Sequence, residues 1–356
     1  MKGNEALAEA AIRAGCQGYF GYPITPQSEI LEYLSDEGRK RGMIVLQAES
    51  EVASINMVYG AAGAGARAMT SSSSPGISLM QEGLSYIACA ELPCLVVNVN
   101  RGGPGLGTIQ PSQGDYFQAT KGGGHRDYRL IVLAPASVQE MADFVYDAFD
   151  LGDKYRNPVM ILADGALGQM MEKVEFRDYN PADHIPPKPW ATVGKPATRE
   201  RNILTSLHIQ PEKMEQVNLS LIRKYKEIAA KEVRYEEIAT DNADYVLVAY
   251  GLSARIAHRA VEIARDNGVR AGLLRPKTLW PFPSEKLREL AMRTVGMLVV
   301  EMNAGQMVED VRLAVEGRVP VQFYGRMGGI IPSPDEVVKA LETMIHEPVE
   351  ENVEEH

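Results

Sequence analysis

Short runs of apolar and β-branched residues alternate with helical patterns from the N-terminus to about Glu175. The runs are QGYFGYP, MIVLQAE, RAMTSSS, CLVVNVN, RLIVLAP and PVMILAD. Each is followed by an amphipathic stretch or by one punctuated with glycine and proline. A continuous apolar run is typical of a strand buried on both faces, so the alternation predicts an α/β fold with a mostly parallel sheet covered by helices.

A second and smaller α/β series begins at Asp244 with DYVLVAYG and continues through ARIAHRAVEIARDNG, VRAGLLRP, an LWPFP turn, VGMLVVEMN and VPVQFYG. Two domains suit a chain of 356 residues. We predict a first domain at 1–175, a linker with a charged surface helix (KYKEIAAKEVRYEEIA) at 176–241, a second domain at 242–345 and an acidic tail at 346–356.

Composition excludes several classes of protein. The chain has 47 acidic and 37 basic residues, which argues against a nucleic-acid surface. No run approaches the roughly 20 apolar residues of a membrane span, and the N-terminus lacks a secretory signal, so we expect a cytoplasmic protein without a membrane partner. Cys16, Cys89 and Cys94 form no CxxC pair, so this chain alone is not expected to hold a metal.

Hydroxyl residues beside prolines mark the predicted helix starts. Thr25 precedes Pro26 and Ser74 precedes Pro75, which is typical of a helix cap followed by proline in the first turn. Ser137 opens a third helix. At the end of a parallel strand, such a hydroxyl and the free amides near it could instead hold an anion. The residues leave both interpretations of Thr25 and Ser74 open.

Two glutamates close the second strand in QAESEVASINMVYGAAGAGA. Glu51 enters a helix of small residues, and Glu49 stands just before it. An acidic residue in a first helical turn often only complements the helix dipole. A carboxylate at this position could also bond a ring nitrogen of a bound heterocycle.

Arg101 follows the fourth strand directly and begins the glycine-rich stretch RGGPGLG. Its guanidinium offers a fork that suits a carboxylate, and the glycines permit a close ligand approach; the alternative is a surface salt bridge. His125, in KGGGHRDY, is a weaker acid–base candidate.

The motifs that would complete a nucleotide or diphosphate site are missing. The sequence has no GxxxxGK[ST] loop, no GxSxG elbow, and no GDG followed by asparagine to hold a diphosphate and its metal. We therefore expect the chain to be one subunit of a larger enzyme and to supply only part of a cofactor site.

Ordered motifs across nearly the whole chain resemble the α-type subunit of the 2-oxoacid:ferredoxin oxidoreductases. They are GYPITPQSE, QAESEVASINMVYGAAGAG, MTSSSSPG, NRGGPGLGTIQPSQGDYF, VLAPASVQEM, GLLRPKTLWPFP, VVEMNAGQM and GRMGGIIPSP. The resemblance implies a pyrimidine-type thiamine-diphosphate-binding domain followed by a transketolase C-terminal-like domain. It also implies oxidative decarboxylation of a 2-oxo acid to acyl-CoA and CO2, with electrons passed to ferredoxin.

The resemblance assigns roles to individual residues. Glu51 matches the glutamate that bonds the aminopyrimidine nitrogen of thiamine diphosphate and favours its imino tautomer. Thr25 and Arg101 match substrate-side residues, which bind the oxo group and the carboxylate. The expected neighbours of the cofactor are Pro23, Ile24 and Ser74.

The resemblance places the remaining groups in partner subunits. The diphosphate, its Mg²⁺ and the nearest iron–sulfur cluster belong to a β-type partner, and further clusters belong to a ferredoxin-like subunit; a γ-type subunit and a dimer of heteromers are also expected. The sequence does not predict the coenzyme A site, the full subunit composition or the physiological direction.

The loop after Arg101 bears on the substrate. Many relatives carry Ser-Thr-Gly after Arg-x-Gly-Pro, whereas here Pro104 is followed by Gly105, Leu106 and Gly107. A more apolar loop, with Leu106 toward the substrate, favours the branched-chain 2-oxoisovalerate type. The alternatives are the 2-oxoglutarate type, a split thiamine-dependent transketolase or decarboxylase, and a non-catalytic subunit.

Overall fold

The computed structural model describes residues 1–125 and 127–346. Its strands are β1 (Gly18–Gly21), β2 (Ile44–Gln47), β3 (Ala68–Ser72), β4 (Cys94–Asn100), β5 (Ile131–Leu133), β6 (Pro158–Asp164), β7 (Tyr235–Ile238), β8 (Tyr245–Val248), β9 (Ala271–Pro276), β10 (Thr278–Trp280), β11 (Gly296–Glu301) and β12 (Val321–Gly325). The predicted acidic tail lies outside the described residues apart from His346.

The helices are α1 (Gly3–Arg13), α2 (Ser28–Tyr33), α3 (Glu51–Gly63), α4 (Ser74–Cys89), α5 (Tyr116–Lys121), α6 (Val138–Tyr155), α7 (Gly165–Gln169), α8 (Pro181–His184), α9 (Pro211–Lys231), α10 (Gly251–Asp266), α11 (Ser284–Ala291), α12 (Met307–Val315) and α13 (Pro334–His346). A π-helical turn at Leu34–Gly38 extends α2. None of the helices in the described ranges combines the length and the apolar character of a membrane span.

The first sheet has the order β10-β5-β6-β4-β3-β1-β2, and β1 to β6 run parallel. Every residue of the central strands β4 and β6 is buried, which explains why both read as continuous apolar runs. Helix α1 packs on α6, and α3 packs on α4. The predicted α/β class and mostly parallel sheet are therefore confirmed.

The seventh strand of this sheet comes from the second half of the chain. The LWPFP segment was predicted to be a turn, but Thr278–Trp280 forms β10 and pairs antiparallel with β5. The prediction failed because the strand's partner lies more than 140 residues earlier along the chain. Such a pairing leaves no local signal.

The second sheet has the order β12-β11-β8-β9-β7 and is parallel except for β7. The charged segment predicted as one helix in the linker is divided: α9 ends at Lys231, and Tyr235–Ile238 pairs antiparallel with β9. Glu232 follows the helix, where its carboxylate accepts hydrogen bonds from Tyr155 Oη at 2.6 Å and Lys154 Nζ at 2.7 Å. Sheet pairing thus overrides local helix propensity.

One of three predicted helix caps is confirmed. Ser137 Oγ accepts a hydrogen bond from Glu140 N at 3.1 Å. The predicted caps at Thr25 and Ser74 are wrong, because α2 begins at Ser28 and Ser74 is already the first residue of α4. The Ser74 hydroxyl bonds the end of β4 instead.

A polar seam joins the two halves of the molecule near the carboxyl ends of the strands. Gln113 Nε2 donates to the main-chain oxygen of Tyr250 at 2.8 Å, and its Oε1 accepts from Ser253 Oγ at 2.8 Å and Met302 N at 3.0 Å. Asp310 accepts from Tyr116 Oη at 2.7 Å. These buried bonds fix the second sheet against the loop that follows Arg101.

Candidate functional site: a cleft at the ends of the parallel strands

Arg101 connects the loops that follow β1 and β4. One terminal nitrogen of its guanidinium donates to the main-chain oxygen of Thr25 at 3.0 Å, and the other donates to that of Leu106 at 3.0 Å. The carboxyl ends of neighbouring parallel strands lie at one edge of a sheet. The two predicted substrate-side residues, Thr25 and Arg101, are thus brought together.

Ser74 joins the start of α4 to the end of β4. Its hydroxyl accepts from the main-chain nitrogen of Arg101 at 3.1 Å and lies 3.2 Å from Asn100 Oδ1. The hydroxyl therefore fixes the position of the backbone that carries the arginine.

Glu51 is the first residue of α3, and the preceding Ser50 caps the helix by accepting from Ala53 N at 3.2 Å. Glu51 is a buried residue, with 6% of its surface exposed, whereas Glu49 is exposed. Among the described residues, no hydrogen bond or ion pair reaches the Glu51 carboxylate. The carboxylate is therefore available to accept a hydrogen bond from a ligand.

Gly76 makes room beside that carboxylate. A Cβ at this position would lie 2.5 Å from Glu51 Oε1 and 2.0 Å from Ser72 Oγ. No side chain fits there. Sequence reasoning assigned this glycine no role, although its place in the first turn of a predicted helix was a usable signal.

Several buried polar groups without protein partners among the described residues lie along β3 and β4 and just after them. They include Thr70 Oγ1, Ser73 Oγ, Asn98 Oδ1, Asn100 Nδ2 and Arg101 Nε. An unsatisfied buried polar group costs about 1–3 kcal/mol. Asn100 and Arg101 lie beside Ser74, and their unpaired groups there fit a site for a polar ligand.

A cleft of about 510 Å³ lies between these strand ends and the second sheet. Its lining includes Ser74, Pro75, Ser78, Arg101, Gly103, Pro104, Gly105, Ser112, Gly114, Asp115, Asn303, Ala304, Gln306, Met327 and Gly328. Sequence reasoning missed the contribution of the second half of the chain, because neither the pairing of the halves nor the facing loops can be read locally.

Asp115 is a further residue that sequence reasoning missed. Its carboxylate accepts from Asn98 Nδ2 at 2.8 Å. Burial raises the pKa of Asp115, while hydrogen bonds from Ser74 and Asn98 act in the opposite direction. It thus places a carboxyl group on the cleft wall that also carries Arg101.

The remaining predicted residues lie at different depths. Pro23 and Thr25 are exposed and Ile24 is half-buried, on the loop after β1. Leu106 is 80% exposed, and its main-chain oxygen accepts from Arg101. Its side chain, like those of Thr25 and Glu51, does not line the cleft. His125 lines a separate cavity with Cys89.

The donors present suit an organic cofactor. A carboxylate without a protein partner among the described residues, together with unpaired amide and hydroxyl groups, offers the hydrogen bonds that an aminopyrimidine ring needs. No group of three or more His, Cys, Asp or Glu side chains within residues 1–125 and 127–346 is arranged to hold a metal ion.

Comparison with known proteins identifies the class. Residues 9–237 match the family described as pyruvate flavodoxin/ferredoxin oxidoreductase, thiamine diphosphate-binding, and residues 243–337 match pyruvate:ferredoxin oxidoreductase core domain II. The chain belongs to the 2-oxoacid:ferredoxin oxidoreductase family as an α-type, thiamine-diphosphate-binding subunit.

Individual relatives show which members of the family the chain resembles. The chain is 53% identical to ketoisovalerate oxidoreductase subunit VorB of Methanothermobacter thermautotrophicus, over 92% of this chain and 93% of that protein. It is 38% identical to 2-oxoglutarate synthase subunit KorA of Methanothermobacter marburgensis, over 96% of this chain and 97% of that protein. Within the family, the chain is VorB-like.

Two solved structures share the fold. The 2-oxoglutarate:ferredoxin oxidoreductase of Magnetococcus marinus, with 2-oxoglutarate, coenzyme A and succinyl-CoA bound, has a TM-score of 0.84 at 28% identity over 97% of this chain. The chain spans 65% of that longer chain. A split-gene transketolase, an inactive β4 tetramer, has a TM-score of 0.60 at 14% identity over 97% of this chain and 98% of that one, which is a likeness of fold alone.

Proposed function

We propose that this chain is the α-type subunit of an enzyme that oxidatively decarboxylates 2-oxoisovalerate to the corresponding acyl-CoA and CO2 and passes the electrons to ferredoxin. The observation that carries the proposal is the carboxylate of the buried residue Glu51, which has no protein partner among the described residues and shares one sheet edge with the Arg101–Thr25 pair. The VorB-like sequence supports the branched-chain substrate.

Glu51 binds the cofactor in this proposal. Its carboxylate, which lies close against α4 because Gly76 carries no side chain, holds a proton at a ring nitrogen of the aminopyrimidine. Pro23, Ile24 and Ser74 bound the same region from the loop after β1 and the start of α4. When bound, thiamine diphosphate supplies the carbon nucleophile and electron sink that decarboxylation of a 2-oxo acid requires.

Arg101 and Thr25 orient the substrate. The guanidinium already spans two main-chain oxygens, so it is held in place before the ligand arrives. We assign it the substrate carboxylate and assign the exposed Thr25 hydroxyl the oxo group. Both assignments use charge-assisted or neutral hydrogen bonds that need no large rearrangement.

Partner subunits complete the site in this proposal. The chain lacks a GDG motif, so a β-type partner holds the diphosphate, Mg²⁺ and the nearest iron–sulfur cluster. A ferredoxin-like subunit carries further clusters, a γ-type subunit joins them, and the assembly is a cytoplasmic dimer of heteromers.

The second candidate is a subunit that acts on 2-oxoglutarate. Its support is the 38% identity to KorA and the shared fold with the Magnetococcus marinus enzyme. The higher identity to VorB favours the branched-chain acid.

Thermal unfolding with and without thiamine diphosphate and Mg²⁺ tests the shared cofactor site. Because ligand binding to the native state stabilises it, we expect a higher Tm for the copurified complex. The free chain, which holds only part of the site, should show no shift. An unchanged Tm of the complex would contradict the proposal. Iron in the purified complex would distinguish this enzyme class from a split transketolase, which is not expected to need iron–sulfur clusters.

A further inference from the structure

The loop after β12 contributes an apolar side chain to the cleft. Within the described lining, Arg101 is the one cation and Asp115 the one carboxylate, and the apolar members are two prolines, Ala304 and Met327. Met327 is the longest and most flexible of these apolar groups. It is 55% exposed, so the cleft presents it to an entering molecule.

Close glycine packing fixes this loop against the loop of Arg101. A Cβ at Gly102 would lie 3.0 Å from Gly328 C and from Gly329 N, and one at Gly329 would lie 2.5 Å from Gln110 Cβ. Neither loop can move toward the other. The backbone that carries Met327 is therefore held at a set distance from the backbone that carries Arg101.

The loop is anchored at its other end as well. Arg326 N donates to the main-chain oxygen of Glu301 at 3.2 Å. The Arg326 guanidinium pairs with Glu336, whose Oε2 also accepts from Ser333 N at 2.7 Å. The position of Met327 is thus determined by both domains.

We infer that Met327 determines specificity for the hydrocarbon end of the substrate, an inference that rests on the proposed function. With the carboxylate on Arg101, the branched methyl groups of 2-oxoisovalerate contact the Met327 side chain. The second carboxylate of 2-oxoglutarate would meet that thioether chain and Asp115, and no second cation lines the described cleft to receive it. Leu106, which is 80% exposed outside the cleft, is not the discriminating residue.

Substitution in the copurified complex tests this assignment. We expect Met327→Arg to lower the ratio of kcat/KM for 2-oxoisovalerate to that for 2-oxoglutarate by about tenfold or more, chiefly through KM. Met292→Arg is the matched control, because Met292 lies after α11 in the same domain, is 73% exposed and does not line the cleft. It should leave the ratio unchanged.

A second variant tests the same inference if the arginine variant fails to assemble. Met327→Ala should enlarge the cleft and raise kcat/KM for a 2-oxo acid with one more methylene, relative to 2-oxoisovalerate, by about threefold or more. Unchanged ratios in the Met327 variants, or a shift produced by Leu106→Arg instead, would overturn the inference. If the wild-type complex oxidises none of these acids, the proposed function itself fails.

Discussion

The guanidinium of Arg101 donates to the main-chain oxygen of Thr25 at 3.0 Å. Since the same guanidinium also donates to the Leu106 oxygen at 3.0 Å, one side chain joins the loop after β1 to the loop after β4. Both bonds use main-chain acceptors, so they do not depend on the side chains of those loops. The arginine is positioned by the fold itself.

Replacing Arg101 with lysine should therefore be harmful despite retaining the charge. One ammonium group cannot span the two main-chain oxygens and also present a fork to a carboxylate. We expect KM for the 2-oxo acid to rise about 10- to 100-fold in steady-state assays of the complex. Arg270→Lys is the control, since Arg270 is exposed and pairs with Asp244 away from the cleft; an R101K enzyme with normal KM would remove Arg101 from substrate binding.

Glu51→Gln should abolish most turnover while leaving the protein folded. The amide is nearly isosteric but cannot hold the proton at the aminopyrimidine ring, so we expect kcat to fall by about 100-fold or more. Far-ultraviolet circular dichroism and Tm should match the wild type. The control, Glu49→Gln, alters an exposed carboxylate two residues away and should retain activity; equal losses in the two variants would contradict the role of Glu51.

Gly76→Ala tests the space beside the carboxylate. The added methyl group would lie 2.5 Å from Glu51 Oε1 and 2.0 Å from Ser72 Oγ, so the glutamate must move. We expect weaker thiamine diphosphate binding, measured by titration of the apo-complex. Gly60→Ala in α3 meets no atom within 4 Å and should bind normally, with a small gain in helix stability. Normal cofactor affinity in G76A would show that the space is not needed.

Asp164 should make stability depend on pH. Burial raises its pKa to about 6, although main-chain amides of Leu167, Ala166 and Leu252 oppose the shift. The native state therefore binds this proton more tightly than the unfolded chain does, so the contribution of Asp164 to stability is highest below pH ~4, falls as pH rises toward 6 and then levels off. The expected loss is on the order of 2–3 kcal/mol.

Denaturant unfolding at pH 4 and pH 7 measures this effect. Asp164→Asn should remove the Asp164 contribution, because an amide does not titrate, so the stability of the wild type relative to D164N should be lower at pH 7 than at pH 4. Asp244→Asn is the control with the opposite pH dependence. Because Arg270 lowers the pKa of Asp244, Asp244 stabilises the native state above its unfolded pKa, and this stabilisation is lost on acidification. An identical pH profile in wild type and D164N would show that Asp164 does not titrate as described.

The parts of the fold and site that sequence reasoning recovered depend on local patterns. Continuous apolar runs located β4 and β6, and the rule that ligands lie at the ends of parallel strands singled out Arg101 and Glu51. Both residues occupy those ends in the structure. Their roles in binding remain predictions.

The missed parts depend on contacts that are distant in the chain. β10 pairs with β5. Met327 lies at the cleft on a loop whose glycines, Gly328 and Gly329, pack closely against Gly102 in the loop of Arg101. Neither contact has a local signature. The side chain of Leu106 is 80% exposed and does not line the cleft, and its predicted contact with the substrate stays a prediction.

The central claim is that this chain forms part of a branched-chain 2-oxo acid:ferredoxin oxidoreductase. Anaerobic viologen reduction by the copurified complex, with coenzyme A and thiamine diphosphate present, tests it most directly when 2-oxoisovalerate, 2-oxoglutarate and pyruvate are compared. We predict the highest kcat/KM for 2-oxoisovalerate. A preference for 2-oxoglutarate would contradict the branched-chain assignment but not the assignment to the family. If none of the three acids supported reduction, the proposed activity would be contradicted.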